Sequence, residues 1–295
     1  FALPWRGGVF AGKSPELLWE RGGRFDVVAL SSATPARAGL VIGDGELWLY
    51  GADGLLRRGP LEPFAAVESN LSAEGQNPAW APCLEPRAVM ASYPETRPEW
   101  LLVAESSGSI ARYHLGERRW SVVHTAEGSG GARCPLARMS SASLGEGEFA
   151  LTSTDGLALI LVSETRHERL ALPSADGVEF RAGAIAAGPS ALGPRSLVLA
   201  DGNGRLLAYH RAGGRFEWLV RARVVPDNSV TLGVGEPGLV FWNVNNAYQQ
   251  WHAGYGACRT EAAPPGEGTS AVVPNDAGWL VFPSGGRIAP SFSVF

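Results

Sequence analysis

Arginine is the residue type placed most regularly for chemistry in this 295-residue chain. Arg37, Arg87, Arg138 and Arg181 each stand directly before a short run of small residues, which read Ala38-Gly39, Ala88-Val89, Met139-Ser140 and Ala182-Gly183. A guanidinium is always charged, and its planar fork takes carboxylate, phosphate or sulfate through two parallel hydrogen bonds. Such groups repeated about every 45 residues form a candidate ligand-binding set for an anion, provided the chain returns to one place with that period. The structural alternative pairs each arginine with a nearby carboxylate, Glu85 or Glu179 for example.

The elements that would position them are short and repeated. Apolar runs followed by a glycine turn occur at Leu47–Tyr50 before Asp53-Gly54, Trp100–Val103 before Ser107-Gly108, and Phe149–Leu151 before Asp155-Gly156. They recur at Leu197–Leu199 before Asp201-Gly202, Leu239–Trp242 before Asn245-Asn246, and Trp279–Phe282 before Gly285-Gly286. Continuous apolar runs bounded by such turns are the pattern of buried strands entering tight hairpins. A strand of small residues precedes each run, and a further hairpin follows it, as in Leu206–His210 leading to Phe216–Leu219. The period of about 46 residues leaves room for four strands per repeat and none for long helices. Glycine at 38 residues and proline at 21 argue the same way.

These units read as blades of a β-propeller, an all-β fold that removes open sheet edges by closing radially. The length predicts one propeller domain over residues 1–295 with six four-stranded blades. In that reading the outer hairpin at 16–30 and the strands near 269–282 share one blade and close the ring. Seven blades follow if Phe1–Gly12 and Ile288–Phe295 form strands of their own. The innermost strands then converge on an axis, and the four arginines line one channel mouth.

Asn203-Gly204-Arg205-Leu206-Leu207-Ala208-Tyr209, followed by Gly213, Gly214 and Trp218, resembles the repeat of the quinoprotein-like (PQQ-like) propellers. Ser109–Trp120 is a weaker copy. The resemblance implies a propeller and carries no assignment of a quinone, so no cofactor is expected.

No other constellation converges. His114, His210 and His252 follow Tyr113, Tyr209 and Trp251 at one repeat position, which is too dispersed for a metal centre and reads as packing. Asn243, Asn245, Asn246, Asn275 and Asp276 could offer oxygen ligands to calcium, as in the six-bladed lactonase-like hydrolases, but turn chemistry accounts for them more simply. Metalloprotease, P-loop, dinucleotide and nucleophile-elbow motifs are missing, so neither a catalytic set nor a metal site is assigned. Trp5, Trp80 and Trp251, with the stretch from Glu68 to Pro86, are candidate exposed contacts. Cys83 and Cys134 sit in matching places, which permits one bridge.

A net charge of -4 supplies no general field for a nucleic-acid backbone, and no apolar run is long enough to span a bilayer. A chain opening at Phe1 reads as a mature or trimmed product, with an extracytoplasmic location, periplasmic or secreted. The expected function is a non-catalytic binding or assembly module, holding a partner protein or an anionic ligand at one propeller face and the arginine-lined mouth. The alternative is a channel-mouth hydrolase or lyase of the calcium-dependent, lactonase-like type. The oligomeric state is left open.

Overall fold

A computed structural model of the chain describes residues 2–5, 8–13, 16–21, 24–30, 36–80, 88–93, 97–105, 107–124, 140–153, 155–163, 167–221, 230–235, 238–244, 247–254, 256–262, 269–275, 278–283 and 291–293. They fall into two compact units, Phe1–Ala137 and Arg138–Phe295. The only helical pieces among them are single 3₁₀ turns at Phe64–Ala66, Glu68–Asn70 and Ser190–Leu192.

The first unit holds three antiparallel sheets of four strands, each ordered as the chain runs. The first sheet is built from Ala2–Trp5, Gly8–Lys13, Glu16–Arg21 and Arg24–Ala29, and the second from Ala36–Ile42, Glu46–Gly51, Leu55–Pro60 and Ser72–Gln76. Ala88–Tyr93, Trp100–Glu105, Ile110–His114 and Arg119–His124 form the third. In the second unit the fourth sheet spans Ser141–Gly145, Glu148–Thr152, Ala158–Val162 and His167–Ala171. The fifth joins Ala182–Ala187, Ser196–Asp201, Leu206–His210 and Arg215–Val220, and the sixth joins Val230–Gly235, Leu239–Val244, Ala247–His252 and Gly256–Ala262. A seventh has three strands, Thr269–Asn275, Gly278–Pro283 and Ser291–Ser293. A two-stranded hairpin, Ser174–Ala175 with Val178–Glu179, separates the fourth sheet from the fifth.

Each end of the chain thus builds its own sheet, and the pairing does not show the blade that the termini were expected to share. The extra hairpin at 2–13 pairs Leu3 with Phe10 and Ala11 with Leu18, so the first sheet completes its four strands from N-terminal residues alone.

Burial on both faces explains the continuous apolar runs. In Glu46–Gly51, Leu47 and Leu49 pack with Leu17, Trp19 and Phe64 on one side. Trp48 and Tyr50 pack with Leu101, Val103 and Tyr113 on the other. Equivalent layers join the fourth sheet to the fifth through Leu159, Leu161, Leu197 and Leu199, and the fifth to the sixth through Val198, Val230 and Val240. First strands of consecutive sheets touch: Ala36–Ile42 meets Ala88–Tyr93 in the first unit. In the second unit Ala182–Ala187 meets both Ser141–Gly145 and Val230–Gly235. Small side chains such as Ala38, Ala88, Ala182 and Ala184 allow that approach.

The turns between second and third strands repeat closely. Gly54, Gly108, Gly156 and Gly204 donate their amides back three residues at 3.1, 2.8, 2.9 and 3.1 Å. All four have positive φ, between +72° and +92°. Gly54 also has no room for a Cβ, which would lie 2.3 Å from Trp80.

Candidate functional site

Counting ladder pairs places the arginines more finely than counting residues. Ala182 faces Asp201, the first residue of its turn, and Arg181 immediately precedes Ala182. In the second sheet Ala36 faces Gly51, the corresponding turn residue, and Arg37 follows Ala36 at a register irregularity. Arg37 therefore corresponds to Gly183 and stands two positions later than Arg181. Arg87 and Arg138 lie outside the described residues; in the chain Arg87 precedes Ala88, whose partner Glu105 also opens a turn.

Both described arginines are exposed. Arg37 has no charged or hydrogen-bonding partner among the described residues. Arg181 donates from Nη2 to Glu179 Oε2 at 2.9 Å, with the two side chains 63% and 60% exposed. An ion pair this open to water stabilises a fold by well under about 1 kcal/mol, so the guanidinium stays available to another anion.

Other arginines do structural work that the sequence spacing did not reveal. Glu74, on the fourth strand of the second sheet, has its side chain shut off from solvent. It accepts from Tyr113 Oη at 2.9 Å and from Arg118 Nε and Nη2 at 2.9 and 2.8 Å, and it also pairs with Arg58. Burial pushes the Glu74 carboxyl up, but the Tyr113 hydroxyl and the two guanidinium groups outweigh it and hold it below the ordinary range. Burial and the Glu74 carboxylate push the Tyr113 hydroxyl up in turn.

A second buried set joins the same two sheets. Tyr50 donates to Glu105, and Asn77 Nδ2 donates to Tyr50 Oη at 2.9 Å and to Glu105 Oε1 at 3.2 Å. Glu105 is 5% and Asn77 2% exposed, and burial, then the Glu105 charge, raises the Tyr50 hydroxyl far above its usual value. In the fifth sheet Arg205 Nε bonds Asp201 Oδ2 at 2.7 Å, and its Nη2 reaches the Glu179 carbonyl at 2.6 Å. Its guanidinium also lies over Phe180 and Trp218. These groups face packed protein, so they fasten the segments that lead from one sheet to the next.

The histidines sit in their hairpins. His114 Nδ1 accepts the Glu117 amide at 2.8 Å, His252 Nδ1 accepts the Gly254 amide at 3.1 Å, and His210 Nε2 lies 3.1 Å from Glu217. Trp251 is buried at 7% exposure and does not offer the exposed indole expected of it, while Trp80 is half-buried and donates to the Ala52 carbonyl at 3.2 Å. Part of the Glu68–Pro86 stretch is strand, at Ser72–Gln76. Cys83, Cys134, Asn245, Asn246 and Asp276 lie outside the described residues, as do the side chains of Trp5, Asn243, Asn275 and Cys258. Among the described residues no group of three or more His, Cys, Asp or Glu could hold a metal ion. None of their helices is long and apolar enough to cross a membrane.

Repeated four-stranded antiparallel sheets, packed face to face with their small first strands adjacent, define a β-propeller. No protein-family model and no curated protein matches the chain. Solved structures do. The extracellular domain of a one-component system from B. thetaiotaomicron aligns at a TM-score of 0.67 and 12% identity, over 99% of this chain and 37% of that one. The chain thus spans little more than a third of that relative. YCF48 bound to D1 peptide aligns at 0.66 and 13% identity, over 94% of this chain and 86% of that one. A streptogramin B lyase aligns at 0.64 and 10%, over 94% and 87%. At these identities the likeness establishes the propeller fold and nothing finer.

Proposed function

We propose that this chain is a non-catalytic binding module, extracytoplasmic, whose arginines at the starts of the first strands hold an acidic partner segment or an anionic ligand. The reading takes residues 1–295 as one functional domain. The observation that carries it is the state of Arg37 and Arg181: both are exposed, one has no described partner, and the other has only a solvent-open bridge. Contact between consecutive first strands within each unit supports it, because arginines borne by neighbouring strands can then act together. Arg87 and Arg138 complete the proposed set, and Arg37 contributes from its offset position. The peptide complex of YCF48 supports a propeller that binds a polypeptide, and the extracellular domain from B. thetaiotaomicron supports the location.

The test is thermal. Sulfate at equal ionic strength should raise the melting temperature more than chloride does, and Arg37→Gln with Arg181→Gln should remove that increment. Sulfate also stabilises proteins by exclusion from their surface, so the difference between wild type and variant is the quantity to read. An unchanged increment in the double variant would return these arginines to a structural role.

A further inference from the structure

Glu179 is held beside Arg181 by more than their mutual attraction. It ends the hairpin Ser174–Ala175/Val178–Glu179, whose turn residues Asp176 and Gly177 both have positive φ. Its carbonyl receives Arg205 Nη2 at 2.6 Å, and that guanidinium is itself buried on Asp201. The next residue, Phe180, is buried and packs edge-on against Trp218. Two residues further, the Ala182 amide is fixed on the Gly156 carbonyl at 2.8 Å. The backbone from 179 to 182 is therefore pinned at three points, while the carboxylate and guanidinium flanking Phe180 remain in water.

We propose that Glu179 is an internal competitor at the Arg181 contact, occupying the place that a carboxylate of an acidic, extended peptide takes when a partner binds. Resting on the binding reading above, the inference adds the partner's chemistry and the residue that sets its affinity. Arg181 already accepts a carboxylate presented by a short extended segment, through a single Nη2–Oε2 contact. Exchange breaks one solvent-exposed bridge and forms another, with no movement of the pinned backbone. Arg37, which has no such acid beside it among the described residues, contributes without this competition.

Fluorescence anisotropy with a labelled hexaglutamate peptide, and hexaglutamine as the uncharged control, tests it on the full chain. Removing a competitor held only by an exposed ion pair should tighten hexaglutamate binding about two- to five-fold in Glu179→Gln. Asp176→Asn makes the same charge change on the same hairpin, where the carboxylate lies 3.4 Å from Arg221, and should give a clearly smaller effect. Arg181→Gln should weaken binding, and adding Glu179→Gln to it should change nothing further. If Arg181→Gln weakens binding while Glu179→Gln behaves like Asp176→Asn, the competitor inference fails and the binding reading stands. If hexaglutamate binds no better than hexaglutamine, or if neither Arg181→Gln nor Arg37→Gln weakens it, the binding reading fails and takes this inference with it.

Discussion

Glu74 gathers Tyr113, Arg118 and Arg58 around a carboxylate without solvent contact, and all three favour its charged form. Its pKa in the folded chain lies below the ordinary 4.5, so its contribution to stability is fully present above that pH. It is lost as pH falls through the depressed folded value. Melting temperatures measured from pH 6 down to pH 3 should therefore fall most steeply below 4.5, and Glu74→Gln should flatten that limb. A variant with the same acid limb as wild type would show that Glu74 takes no part. Arg118 carries a backbone cost for its place in this cluster. Its φ is +51°, in the turn position where the fifth sheet uses Gly214 at +57°. A non-glycine residue persists there because its guanidinium forks onto Glu74 across the sheet boundary. No spacing rule could have exposed this set, since Glu74 and Arg118 come from different repeats and look like ordinary surface charges in the sequence.

At the level of elements, the turn glycines carry the clearest consequence. Gly54 combines a φ of +76° with Trp80 packed where a Cβ would go. Gly54→Ala should destabilise the chain by about 2–4 kcal/mol, from backbone strain together with displacement of the indole. Urea unfolding followed by tryptophan fluorescence would measure it; a loss under about 1 kcal/mol would mean that the turn relaxes freely. The strands were legible because burial on both faces writes them as unbroken apolar runs such as Leu47–Tyr50. The turns were legible because Asp-Gly and Ser-Gly mark positive φ. The hairpin at 2–13 was weaker in the sequence, since Pro4 and the glycines at 7, 8 and 12 interrupt its alternation. The frame of Arg37 was hidden for a different reason: both first strands carry the same irregularity, between Ala36 and Ala38 and between Ala182 and Ala184, but the Arg-Ala-Gly triplet falls two residues later on it in the second sheet, and only the register shows that.

At the scale of the whole molecule, the binding reading and its rival part over calcium. A channel-mouth hydrolase or lyase of the calcium-dependent, lactonase-like type would depend on a bound ion. A binding module would not, so EDTA should leave the melting temperature unchanged; a fall of several degrees, restored by calcium, would transfer the assignment to the enzyme. The segment leaving the second sheet has an implication for how the first unit comes apart. Asn77 donates its amide to the Gly54 carbonyl at 3.0 Å in the sheet behind it, while its side chain serves Tyr50 and Glu105 and so reaches the sheet ahead. A connector tied on both sides cannot let one sheet open while the other stays closed. In native-state hydrogen exchange, the amides of Leu49, Asn77 and Val103 should report one shared opening free energy, so the second and third sheets should exchange as a single foldon. Asn77→Ala should split that value in two, and coincident values in the variant would show that the apolar layer alone couples them.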